Sequence, residues 1–207
     1  MGHKLVARLG DRVNGDSRLN KLAIWISEIS APWVWNIAVS IAAGLTVRQV
    51  WWGLFCSAIM GVLPMVVIVA LMLRRRVKDH HVSDKRERPV VIGAIAAIVA
   101  VGLSVMMVWS APIQLVLLVL SGLFLVISAG TVTLVSRYKV SFHAAVAWGQ
   151  TLALAFIASS PWVLVAVPIA LATSWARLRL GAHTRTEVLV GSIVGCVSVG
   201  AIFVTFL

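Results

Sequence analysis

Apolar residues fill seven long blocks of the chain, separated by stretches that alternate between nearly uncharged and strongly basic. A helix crossing a membrane needs roughly 20 apolar residues, because the hydrocarbon core is ~30 Å thick and each helical residue rises ~1.5 Å. The blocks at 29–47, 51–73, 90–109, 112–135, 142–159, 161–176 and 187–206 are therefore predicted to be spanning helices. Glu28 precedes the first block, and Pro32 falls in its first turn, where proline is tolerated. The sixth block is short and contains Pro168, which predicts a kink or a shallow seat in the membrane. The expected fold is an all-α, polytopic membrane helical bundle of about seven spans, with a six-helix core as the alternative. Residues 1–28 form a basic N-terminal segment and 29–207 the membrane domain.

The turns decide the orientation. Gly44–Val50, Trp109–Pro112 and Ser159–Pro161 are short and nearly uncharged, whereas Arg74–Arg88, Ser136–Ser141 and Arg177–Thr186 are basic. Of the 18 Lys and Arg residues, all but Arg48 fall on the side shared with the N-terminus. Basic loops stay in the cytoplasm, so the N-terminus and these three loops are expected there, in the inner membrane of a cell. Trp51, Trp52, Trp109 and Trp162 mark one interface and Trp25, Trp148 and Trp175 the other, as an aromatic belt does. Residues 3–21 alternate basic and apolar side chains. They read either as an amphipathic surface segment or as a basic tail.

Composition agrees with this reading. The chain is 60% apolar and carries 12% charged residues, and its mean hydropathy is +1.00. A soluble domain carries about twice that share of charge. The net charge of +11 would suggest nucleic acid in a soluble protein. Here the charge lies between apolar runs, so the expected partner is the anionic lipid bilayer, with no nucleic acid. The first twenty-one residues are too basic and polar for a signal peptide. Cys56 and Cys196 each lie inside an apolar run and form neither a disulfide framework nor a metal pattern.

The candidate chemistry is concentrated in the three basic loops. The first holds His80, His81, Lys85 and Arg88-Pro89, the second Ser141 and His143, and the third Arg177, His183 and Glu187. Arg88 and Arg177 are fixed cations whose forked donors match phosphate oxygens. His143 and His183 are imidazoles able to divide nucleophile and acid roles near neutral pH. Glu187, four residues after His183, can lie close to that ring and fix its tautomer if a helix begins near Thr184. Ser141, with the N–H groups at the start of the fifth helix, would favour an anion. Blander readings apply to the same residues. The arginines enforce topology, Ser141 is an N-cap, Thr184-x-x-Glu187 is a capping box, and Gly191 and Gly195 serve close helix packing.

At these residues the chain resembles the type 2 phosphatidic acid phosphatase family, which includes bacterial lipid phosphatases and vanadium haloperoxidases. The family motifs are Lys-x6-Arg-Pro, Pro-Ser-Gly-His and Ser-Arg-x5-His-x3-Asp. Arg177, His183 and Glu187 stand at the third motif's spacing, with Ala176 for its serine and glutamate for its aspartate. Ser141 and His143 match the second, with Val140 for proline and Phe142 for glycine. Arg88-Pro89 match the first, with His81 at the lysine position and Lys78 or Lys85 as substitutes. The resemblance spans residues 78–195, and residues 90–135 add a helix pair that most relatives lack.

The resemblance implies a phosphoric monoester hydrolase that needs neither metal nor cofactor. His183 would attack phosphorus to form a phosphohistidine, Glu187 would orient its ring, and His143 would protonate the leaving alkoxide. Arg88 and Arg177, with Ser141, Lys85 and His81, would hold the phosphoryl oxygens. The substrate would be a membrane lipid phosphate of the isoprenoid-linked, phosphatidate or phosphatidylglycerophosphate class, met at the cytoplasmic face. Two alternatives remain open: an inactive protein that binds lipid head groups or acts as a scaffold, and a lipid transporter or flippase.

Overall fold

The computed structural model describes residues 17–77, 79, 86–136, 139–158 and 160–207. The amphipathic segment expected at 3–21 lies mostly outside them. Among the described residues eight helices follow in order: α1 (Ser17–Ile29), α2 (Pro32–Thr46), α3 (Val50–Leu73), α4 (Arg88–Val108), α5 (Ile113–Val135), α6 (Phe142–Ile157), α7 (Ser160–Arg179) and α8 (Arg185–Phe206). No strand occurs among the described residues.

All seven predicted blocks are helical. Five of these helices are long and apolar enough to cross a membrane by themselves, namely α3, α4, α5, α7 and α8. The pair α1 and α2 qualifies together but bends by 53° at the break, and α6 is a shorter apolar helix. The bend has a local cause. Pro32 at the start of α2 pushes Ala31 into extended backbone (φ −60°, ψ 150°), so the helix of Ile29 cannot continue through it. Ile29, expected in the first span, therefore ends α1. The sixth block is longer than expected, because α7 runs on to Arg179 with Pro168 inside it.

The helices pack into an antiparallel bundle. The connections after α1, α3, α5 and α7 gather at one end, which carries the basic loops, and those after α2, α4 and α6 at the other. α5 and α6 form the centre, with Leu115, Leu118, Leu125, Ala129, Ala144, Ala147 and Ala153 essentially without exposure. Val101, Leu164, Leu189, Val197 and Val204 point outward and are more than half exposed. This apolar-inside, apolar-outside pattern suits a protein whose surroundings are hydrocarbon.

Two departures from regular helix matter for the site. In α3, a π-helical turn at Ala58–Val62 precedes Pro64. Proline has no N–H, so the carbonyl of Met60, four residues earlier, loses its usual donor. The side chain of Asn36 on α2 supplies one, with Nδ2 2.8 Å from that oxygen. After α7 the chain reverses at Gly181, whose φ of +63° lies in the left-handed region that favours glycine. That reversal places His183 and Thr184 immediately before α8.

Candidate active site

Thr184 caps α8. Its side chain accepts a hydrogen bond from the N–H of Glu187 (3.3 Å), and Oε2 of Glu187 accepts one from the N–H of Thr184 (3.0 Å), which completes a capping box. The other carboxylate oxygen, Oε1, accepts from the backbone N–H of Lys139, in the connection before α6 (3.0 Å). One carboxylate thus ties the α5–α6 connection to the first turn of α8. The N–H of Ser141 adds a second tie by donating to the carbonyl of Glu187 (3.2 Å).

The ring of His183 sits in this junction, buried to 7% exposure. Its Nδ1 lies 3.1 Å from the carbonyl oxygen of Lys139 and 3.4 Å from Oε2 of Glu187. Both neighbours are acceptors, so Nδ1 carries a proton and donates. In the neutral ring this assigns the lone pair to Nε2. A carboxylate and a carbonyl beside one ring nitrogen hold the ring in place and raise the basicity of the other.

Close backbone approach makes the junction possible. A Cβ on Gly191 would lie 2.6 Å from the carbonyl oxygen of Ser141, and one on Gly195 would run into the carbonyl of Ala145. Only glycine lets α8 lie this close to the start of α6. Ser141 is fully buried and caps α6, with its hydroxyl accepting from the N–H of Ala144 (3.4 Å). Of its two expected roles, the capping role is the one the geometry displays. His143, two residues on, is buried and lines a cavity within the bundle.

Arg177 is buried at the basic end of α7, where its Nη1 donates to the hydroxyl of Ser27 on α1 (2.7 Å). Its Nε is also buried and has no hydrogen-bond partner among the described residues. Glu28 of α1 and Asp79 of the first loop lie close enough to attract this cation. α1 is held against α7 by a further bond, from Nε of Arg179 to Oδ1 of Asn20 (3.0 Å).

The third-loop residues His183 and Glu187 therefore meet the second loop at Lys139 and Ser141, while Arg177 meets α1 at Ser27. Arg88 opens α4 on the same end of the bundle. His81 and Lys85 lie outside the described residues. No group of three or more His, Cys, Asp or Glu side chains able to hold a metal occurs among the described residues. Sequence reasoning missed Ser27, Asp79 and the backbone of Lys139. The first two carry no spacing signal, and a backbone group carries none by its nature. The chain matches no family model, no curated protein and no solved structure.

Proposed function

We propose that the protein is a multi-pass membrane lipid phosphatase that hydrolyses a phosphomonoester through a phosphohistidine intermediate. The observation that carries this reading is the bracing of His183: Nδ1 faces the Lys139 carbonyl and the Glu187 carboxylate, which leaves Nε2 as the nucleophilic nitrogen.

In the proposed reaction, the Nε2 lone pair forms an N–P bond as the ester P–O bond breaks. The departing alkoxide takes a proton from the protonated ring of His143. Water then attacks phosphorus, gives its proton back to His143, and the N–P bond breaks to release inorganic phosphate and His183. Glu187 acts by position and charge, stabilising the ring as it becomes cationic. Arg177 and Arg88 supply positive charge for the phosphoryl oxygens. Such a transfer depends mainly on positioning and charge stabilisation. The substrate is an isoprenoid-linked phosphate, a phosphatidate or a phosphatidylglycerophosphate, presented from the inner leaflet of the cell membrane to a site facing the cytoplasm. The bias of basic residues toward this end of the bundle supports that orientation.

The test is phosphate release from a panel of lipid phosphates by the purified full-length chain in lipid nanodiscs. Release is expected from the unsubstituted protein, and a His183→Ala variant that folds should fall by at least about a thousandfold, because it lacks the nucleophile. Lipid phosphate binding without release would replace the enzyme with a head-group binding protein. Lipid movement between leaflets without release would replace it with a transporter.

A further inference from the structure

A cavity of about 130 Å³ lies between α2, α3, α4, α5 and α6. Its wall includes Trp33, Asn36, Met60, Met65, Ile95 and His143. On α2, α4 and α6 every lining residue falls within about two turns of the basic end, at 31–36, 91–95 and 142–146. The cavity therefore starts beside His143 and runs toward the middle of the bundle. The wall is apolar apart from Asn36 and His143. Asn36 already donates to the Met60 carbonyl and accepts from Gln150 Nε2 (2.8 Å each). A polar solute would find few partners there, whereas a hydrocarbon chain would lose nothing by entering.

A second depression lies on the outer surface against the first, lined by Trp33, Val62, Met65, Val66 and Val69. Val62, Val66 and Val69 are exposed on the face of α3 that a membrane would cover. Trp33 and Met65 line both spaces. They stand between the bilayer and a chamber with His143 in its wall. The irregular backbone of α3 passes through the same region, with Met60 in the π-helical turn and Pro64 both on the cavity wall.

We infer that this cavity seats the first few carbons of the hydrocarbon chain of a lipid phosphate, the rest lying along the outer depression and in the bilayer; the chain enters sideways between α2 and α3, past Trp33 and Met65, with its phosphate end toward His143. The inference rests on the lipid phosphatase reading for the fate of the phosphate, but the seat itself does not need catalysis. Met65 and Ile95 then determine how much chain the protein accepts.

Two measurements test the seat separately from the chemistry. In nanodiscs, kcat/KM is measured for hexadecyl phosphate and for ethyl phosphate. Met65→Trp and Ile95→Trp fill the cavity, so the ratio of the long-chain to the short-chain value should fall at least about tenfold. The volume-conserving Met65→Leu should keep the ratio. Independently, the full chain is irradiated with a hexadecyl phosphate analogue that bears a diazirine on one of the first carbons beyond the phosphate, and the labelled residues are mapped. Label is expected on 60–68 and 91–95, and its loss in Met65→Trp is the supporting result. An unchanged ratio in both tryptophan variants, or label confined to other helices, overturns the seat. Label at the expected residues without hydrolysis of either ester retains the seat and overturns the phosphatase.

Discussion

The seam between α6 and α8 and the side of the bundle where α2, α3 and α4 meet both use glycine for close approach, but only the second is interrupted. Along the seam, backbone touches backbone. Gly191 faces the Ser141 carbonyl, Gly195 the Ala145 carbonyl, and a Cβ on Gly149 would lie 3.1 Å from the Gly195 carbonyl. On the other side, α2 and α3 also meet backbone to backbone, at Gly44 and Gly53 and at Gly61 against the Trp33 carbonyl, but around Gly61 a π-helical turn, a proline and a cavity interrupt the packing. In a bilayer, helices gain little by hiding apolar surface from one another, so small residues and close van der Waals contact hold them together. The tight side carries the braced histidine, and the loose side carries the space. The site proposed above, which would hold one ring still while admitting part of an apolar chain, uses both.

The largest effect is expected from breaking the tight side. Gly195→Leu would drive a side chain into the Ala145 backbone, which cannot yield as a flexible side chain would. We expect a loss of about 3 kcal/mol, read as unfolding at lower denaturant in detergent, together with loss of phosphate release. Gly93 on α4 is the control, because a Cβ there meets nothing within 4 Å. Gly93→Ala should be neutral or stabilising by roughly 0.5–1 kcal/mol, since alanine restricts the unfolded chain and favours helix. Equal damage at both positions would erase the distinction between the two sides.

A smaller effect is expected when the seam is left intact and only its brace is altered. Glu187 uses both oxygens, one on the Lys139 N–H and the other on the Thr184 N–H beside His183. Glu187→Gln keeps the shape but turns one acceptor into a donor, so one N–H loses its partner. Partners that orient metal-bound histidines typically contribute 10–100-fold to activity, and we expect the same order for the ring held here. We expect kcat to fall by about that factor with KM little changed, because the ring is misaligned while the cavity is untouched. A fall in KM affinity alone would move Glu187 from ring positioning to substrate binding.

The two sides also differ in how far they were legible beforehand. Block length against membrane thickness placed all seven apolar helices but over-counted the spans, since five are long enough alone, the α1–α2 pair qualifies only together and α6 is shorter; the spacing Thr184-x-x-Glu187 predicted the capping box found at α8. His183 and Glu187, four apart, were expected to meet and do. Gly191 and Gly195 read as close-packing positions and are so; what escaped was the polar contact one helix supplies to another. Lys139 acts through its backbone, which is the same for every residue type. Their charge places Arg177 and Arg179 in a loop, yet α7 continues through both, with Nη1 of Arg177 donating to Ser27 and Nε of Arg179 to Asn20 on α1. Pro64 signals an orphaned carbonyl, but only the fold reveals that Asn36 covers it.

That last contact gives the smallest prediction and a check on the loose side. Gln150 on α6 donates to Asn36 on α2, which donates to Met60 on α3, so three helices share one polar chain. Asn36→Leu removes the middle link and orphans both the Met60 carbonyl and the Gln150 amide, at a cost of about 1–3 kcal/mol. Gln150→Leu removes only the outer bond, and interhelical hydrogen bonds in membranes average about 0.6 kcal/mol. It also removes Oε1 of Gln150, which is buried with no partner among the described residues, and this offsets part of the loss. Gln150→Leu should therefore lie within about 1 kcal/mol of the unsubstituted protein and cost less than Asn36→Leu in the same denaturant series. The reverse order would mean that Asn36 does not support the broken turn of α3, and that the cavity keeps its shape by side-chain packing alone.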